Sequence, residues 1–192
     1  MASSSLFVIS TSGTDHPGRL AALCDALSAV DCCLADSRIL RLAGIFNGIM
    51  VVSAPPGIGL NELNSVMAPL RRLDLHLEVC KLDGKSPVSR HTPGTHSFIV
   101  SCSGADEPGI LRSLTHALTN MGCEFVDMNT HVRRTNEGTE FILVCEVDAP
   151  KRFTKKHIQT MVDNVGTQIG LEFLVVPAEL SELDALIAGK DS

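Results

Sequence analysis

The chain repeats itself. Ser10-Thr11-Ser12-Gly13-Thr14-Asp15-His16-Pro17-Gly18 returns as Ser101-Cys102-Ser103-Gly104-Ala105-Asp106-Glu107-Pro108-Gly109, an offset of 91 residues. The register then continues without a gap, because Leu20, Leu23, Ala26, Leu27, Cys32 and Asp36 recur as Leu111, Leu114, Ala117, Leu118, Cys123 and Asp127. A tandem duplication within 192 residues leaves about 80 residues per copy, enough for a small domain and too few for a large one.

Each copy opens with an apolar run of strand length, Leu6 to Ile9 or Phe98 to Cys102, bounded by small polar residues and Gly; such a run reads as a buried strand. A helix is predicted next, since Leu20, Leu23, Cys24, Leu27 and Val30 fall at helical spacing and Leu111, Leu114, Leu118 and Met121 do the same. Asp15 or Asp106 is suited to cap it, and Pro17 or Pro108 to stand in its first turn. Strand pairs follow: Leu34 to Leu42 with Gly48 to Ala54, joined by Gly44 to Asn47, and Phe125 to Arg133 with Thr139 to Val147, joined by Asn136-Glu137-Gly138. A second helix is expected near Gly59 to Arg72 and Thr154 to Gln168, and a last strand at Leu75 to Leu82 and Leu171 to Val176.

The order βαββαβ is the ferredoxin-like arrangement, of α+β class, with an antiparallel four-stranded sheet and helices on one face. The expected division is residues 1–83, a Pro- and Gly-containing linker at 84–95, residues 96–177, and a tail at 178–192. In that tail Leu180, Leu183 and Ile187 have helical spacing.

Charge narrows the function. The net charge is −6, and its whole excess lies after Arg90, opposite to what a phosphate-tracking surface needs. Trp and Tyr are absent, which removes the usual stacking platform for single strands. Direct nucleic-acid binding is therefore not expected. The basic group Lys151, Arg152, Lys155 and Lys156 reads as a solvated helix start. No stretch has the length of a membrane span or the form of a secretory leader. The seven Cys have neither CxxC pairing nor zinc spacing, and most sit in apolar runs as small hydrophobes. A reducing, cytoplasmic location with no metal or other cofactor is expected.

A βαββαβ unit whose first strand passes through Gly-x-Asp-x-Pro-Gly into its helix resembles an ACT domain, and both loops here match. Two such units, together with Cys32-Cys33-Leu34-Ala35-Asp36-Ser37-Arg38 at the second strand, resemble the glycine cleavage system transcriptional repressor group. The resemblance implies side-by-side sheets, a homodimer, a small ligand such as glycine or serine near the interface, and action through a partner transcription regulator. It also implies ligand contacts at Thr14, Asp15, His16 and Gly18 with Cys33, Leu34 and Asp36, and at Ala105, Asp106, Glu107 and Gly109 with Glu124, Phe125 and Asp127. The loop has independent support, because a helix N-terminus offers unpaired N–H groups to a carboxylate. Equally, the Asp residues can serve only as caps and the Gly residues only for tight packing. Related domains carry an Asn where this chain has Cys33 and Glu124. A carboxylate at Glu124 attracts an amine, so the second copy is the expected binder.

Three functions stand side by side: an amino-acid-sensing regulator, a dissociable regulatory subunit of an amino-acid metabolic enzyme, and an enzyme using an exposed thiol. The third has the least support. His96 and Cys102 stand six apart without a shared face for a nucleophile pair, no His pair has i, i+4 spacing, and Cys32-Cys33 fits core packing with one outward thiol.

Overall fold

The computed structural model describes residues 4–82, 90–135 and 138–178. It separates into two compact units, Met1–Val88 and Ser89–Ser192. The first contains β1 (Ser5–Thr14), α1 (Arg19–Ser28), β2 (Cys33–Leu42), β3 (Ile45–Ala54), α2 (Leu60–Arg71) and β4 (Leu75–Lys81). The second contains β5 (Thr95–Ala105), α3 (Ile110–Asn120), β6 (Glu124–Thr135), β7 (Gly138–Pro150), α4 (Lys155–Ile169) and β8 (Glu172–Pro177). Each unit forms a four-stranded antiparallel sheet, in the order β2-β3-β1-β4 or β6-β7-β5-β8. The βαββαβ arrangement is thus present twice.

Alternation builds each core. On β1 and β3 the inward residues Phe7, Ile9, Met50 and Val52 meet Leu23 and Leu27 of α1 and Leu63 and Met67 of α2, all buried. In the second unit Val100, Leu143, Cys145 and Val147 meet Leu114, Leu118, Ile158 and Val162. Burying each such side chain contributes about 1.5 to 3 kcal/mol. Among the described residues, the opposite face of each sheet carries no helix of its own unit.

Several boundaries differ from the sequence expectation. The first strand runs on from Ile9 to Thr14, because Ser10 to Thr14 pair with β3 residue by residue as far as Thr14↔Ile45. The β2–β3 joint is not Gly44 to Asn47 but the two residues Ala43 and Gly44, with φ of 49° and 77°. Positive φ at both central positions matches the twist of a two-residue hairpin, and it places Ile45 to Asn47 in β3. Leu20 and Cys24 do not face the core. Arg19, Leu23 and Leu27 form the buried stripe of α1, one position earlier than the apolar pattern suggests.

The expected caps are also replaced. Gly18 and Gly109 are the N-cap residues, left-handed at φ 88° and 97°, and no side chain caps either helix. Pro17 and Pro108 therefore precede the helices instead of opening their first turns. Among the described residues no helix is long and apolar enough to cross a membrane. The expected tail helix, most of the linker and the residues Asn136 and Glu137 of the second hairpin lie outside the described residues.

Thr11 is the one core position of β1 with a hydroxyl. It is 5% exposed, and its Oγ1 has no hydrogen-bond partner among the described residues. A buried, unpaired hydroxyl costs about 1 to 3 kcal/mol. Thr11→Val keeps the shape and removes the cost, so hydrogen exchange at the β1 amides should slow about fivefold, the equivalent of about 1 kcal/mol. Unchanged or faster exchange would count against it.

Candidate functional site

The loop between β1 and α1 is held from three sides. Thr14 Oγ1 donates to Asp74 Oδ2 at 3.0 Å. The Asp15 N–H donates to the Gly44 carbonyl at 2.9 Å, and the Asp15 carboxylate pairs with Arg41 Nε at 2.6 Å. Arg19, only 5% exposed, donates from Nη2 to the Leu73 carbonyl at 2.7 Å and from Nη1 to the Asp74 carbonyl at 3.2 Å. Gly13 is required here because a Cβ would collide with the Asp74 carbonyl and the Arg19 guanidinium. The loop and the first turn of α1 then enclose, with Ile39 to Arg41 of β2, a cavity of about 310 Å³. It opens beside the unpaired N–H groups of a helix start, the part of a helix that favours an anion.

Asp15, His16 and Gly18 thus gather at this cavity, and Thr14 ends the strand leading into it. Cys33, Leu34 and Asp36 do not join them. They start β2, while Arg41 near its end faces the loop; at about 3.3 Å per residue, Asp36 lies about 16 Å from it. A bulge between Leu34 and Asp36 turns that strand start, and the Asp36 carboxylate accepts the Ser37 N–H at 2.7 Å.

The second unit repeats the layout with different contacts. Ala105, Asp106, Glu107 and Gly109 lead into α3, and the Asp106 N–H reaches the Thr139 carbonyl at 3.4 Å. Ile110 replaces Arg19 and Val132 replaces Arg41 in the repeat register. Ile110 is buried in the same cluster as Leu171, so an apolar contact takes the place of the guanidinium clamp. Glu124, Phe125 and Asp127 again lie at the far end of the second strand: Phe125 packs on the core, and Asp127 Oδ2 accepts from Asn129 Nδ2 at 3.3 Å.

The model of the ACT domain family matches residues 5–79 and 96–175. The chain belongs to the ACT domain family. Two solved structures share the tandem ACT architecture over almost their full length. One is described as an unknown protein from Galdieria sulphuraria, with 21% identity and a TM-score of 0.78 over 92% of this chain and 99% of that one. The other is described as a candidate glycine cleavage system transcriptional repressor, with 16% identity and a TM-score of 0.68 over 92% of this chain and 98% of that one. No curated protein sequence matches the chain.

The second ACT unit also contains a polar cluster that the sequence did not single out. Asp148 is 1% exposed. Its Oδ1 accepts from Ser97 Oγ at 2.5 Å and lies 3.0 Å from His91 Nδ1, while Oδ2 accepts the Thr92 N–H at 2.5 Å. Thr92 Oγ1 donates to Glu124 at 2.7 Å, and Arg90 Nη2 pairs with Glu146 at 2.6 Å. Residues 90–92, in the stretch expected as linker, are thus bound to this unit. Ser, His and Asp here do not form a proton relay: Ser97 Oγ and Asp148 Oδ1 both approach the same ring nitrogen of His91, each at 3.0 Å, whereas a relay uses opposite nitrogens. Glu124, the expected amine contact, is already engaged by Thr92. The sequence signal for this cluster was the pair of carboxylates Glu146 and Asp148 among the apolar residues of β7.

The buried and half-buried thiols are similarly unsuited to nucleophilic work. Burial pushes the Cys102 thiol up to about 11, and burial with Cys102 and Asp127 nearby pushes Cys145 up to about 12. Burial likewise raises Cys32, aided by Cys33 and Asp31. His96 and Cys102 lie about 20 Å apart along one strand.

Two outcomes are expected. Arg19→Met keeps the buried stem but leaves two carbonyls without their donor, costing about 2 kcal/mol, seen as faster hydrogen exchange in both the loop and the α2–β4 turn. Burial of Asp148 raises its carboxyl, but hydrogen bonds from Ser97, Thr92 and His91 outweigh this and hold it below the usual value. A depressed folded value adds stability above the unfolded value of about 3.9 that is lost as pH falls through the folded one. Asp148→Asn should therefore lower the melting temperature at neutral pH and flatten its fall below about pH 4; an unaltered acid profile would exclude Asp148 as a contributor.

Proposed function

We propose that this chain is a non-catalytic regulator that senses an amino acid through its tandem ACT units and passes occupancy to a protein partner. The observation that carries the proposal is the cavity at the first loop, where a left-handed Gly18 opens a helix N-terminus beside β2. Such a site suits a carboxylate at the N–H groups, with Gly18 allowing close approach. Ligand contacts at Thr14, Asp15, His16 and Gly18 belong to this proposal, as do the corresponding second-unit residues Ala105, Asp106, Glu107 and Gly109.

Strand β2 is a sheet edge whose ten residues are all exposed. An edge of that length seeks a partner strand, which supports a homodimer pairing edge to edge. In such a dimer Cys33, Leu34 and Asp36, or Glu124, Phe125 and Asp127, would meet a ligand held by the loop of another unit. Similarity to the candidate glycine cleavage repressor supports glycine or serine as first ligands and a transcription regulator as partner.

The test is thermal unfolding followed by circular dichroism, with each of the twenty amino acids added singly. Ligand at about 100 times its dissociation constant stabilises by about 2.7 kcal/mol; at about 2 to 4 °C per kcal/mol for a chain of this size, a rise of several degrees is expected. Gly18→Val should remove the first loop's share. No rise with any amino acid would overturn the sensing proposal. Capture of a catalytic subunit in place of a transcription regulator would redirect the partner assignment to amino-acid metabolism.

A further inference from the structure

The open face of the second sheet is grooved. The outward residues Ile142 and Val144 of β7 form one apolar ridge, and Leu174 and Val176 of β8 form another. Val144 is 43% exposed and Leu174 57%. Between the ridges runs β5, whose outward Ser101 and Ser103 make a low floor that rises to Ile99 at one end. Two strand spacings separate the ridges, about 10 Å, close to the diameter of a helix. Among the described residues no helix lies on this face.

The first unit shows that the fold does not require apolar ridges. By the same pairing, its ridge positions hold Asn47 and Ile49 in β3 and Glu78 and Cys80 in β4, and only Ile49 among them is aliphatic. The stretches that follow the two units differ in the same sense. Leu82-Asp83-Gly84-Lys85-Ser86-Pro87 follows the first without apolar spacing. Glu179 to Ser192, outside the described residues, follow the second, with Leu180, Leu183 and Ile187 at helical spacing and Ser181 and Glu182 on the other side of that pattern. The unit with the apolar groove is thus the one followed by an amphipathic segment.

Position and length also agree. The Ala178 N–H donates to the Ser97 carbonyl at 2.9 Å, so the chain leaves the sheet beside β5, at the Ile99 and Val176 end of the groove. A helix from Leu180 to Ile187 is about 11 Å long. The groove, from the row of Ile99 and Val176 to the row of Ser103 and Ile142, is about 13 Å long. The unit already covers one row of this face with its own chain, since residues 91 and 92 are bound over Ser97 and Asp148.

We propose that this groove is the docking site of the chain's own C-terminal segment, Glu179 to Ser192. Leu180, Leu183 and Ile187 sit between the ridges, and Ser181 and Glu182 face solvent. Removal of both ridges and the apolar stripe from water drives the docking. Seated there, the segment closes the apolar face of the second sheet to a second copy of the chain.

The test compares amide NMR spectra of the full chain and of a chain ending at Ala178. Loss of the segment is expected to shift the amides of Ile142 to Val144 and Leu174 to Val176 and to leave those of Asn47 to Ile49 in place. In the full chain, Val144→Asp should release the segment, moving the amides of Leu180 to Ile187 to the values of an unstructured peptide. Ile49→Asp, at the matching position of the first sheet, should not. Leu183→Asp should give the groove amides the positions they have in the shortened chain. The proposal is overturned if the groove amides are the same with and without the segment, if Val144→Asp leaves the segment's amides unmoved, or if Ile49→Asp releases it. Groove shifts that vary with protein concentration in the full chain would also overturn it, assigning the face to a second copy.

Discussion

Two helices lying on one face of a four-stranded sheet set the terms for everything else in each unit. Phe7, Ile9, Met50 and Val52 must point toward the helices, and the strand period of two sends their neighbours to the other side. Among the described residues, that second side has no helix of its own unit, and β2 is an outer strand of its sheet. The loops at the strand ends, the bare face and the free edge are what remain for recognition. The two units differ in chemistry at those places.

The difference is chemical. At the junction of the first loop with the α2–β4 turn, a buried guanidinium bonds two carbonyls, while the second unit fills the same position with Ile110. Conversely, the second unit buries a carboxylate, Asp148, and uses it to hold residues 91 and 92, where the first has Ser53 paired with Cys33. One copy has kept a polar loop support, and the other has turned a strand-start position into an anchor for its own chain. Duplicated units diverging in this way are poor candidates for two identical ligand sites.

Much of the fold was legible because it rests on periodicity and on the repeat. Helices, strand order and unit number followed from apolar spacing that occurs twice in register. The misjudged boundaries share a cause: Ser10 to Thr14 and Ile45 to Asn47 carry polar or mixed residues whose strand state is decided by cross-strand hydrogen bonding, not by their own hydrophobicity. The caps were misplaced because a left-handed Gly enters a helix without needing an Asp side chain. Arg19 escaped attention since a charged residue in a helix start reads as solvated, whereas its guanidinium is buried against carbonyls distant in sequence. Of the expected site residues, Asp15, His16 and Gly18 were brought to one cavity. Cys33, Leu34 and Asp36 were not, because one unit's own geometry separates the two ends of β2.

The two-residue turn at Ala43 and Gly44 does more than reverse the chain. Its Gly44 carbonyl takes the Asp15 N–H at 2.9 Å, and Arg41, just before the turn, takes the Asp15 carboxylate. The hairpin tip and the loop are therefore joined at two points, and β2, paired with β3 from Cys33 to Leu42, connects the cavity to the start of the free edge. In the second unit the corresponding hydrogen bond is longer, 3.4 Å, and Val132 offers no ionic grip. The first hairpin is tied to its loop by a hydrogen bond and an ion pair, the second by one long hydrogen bond.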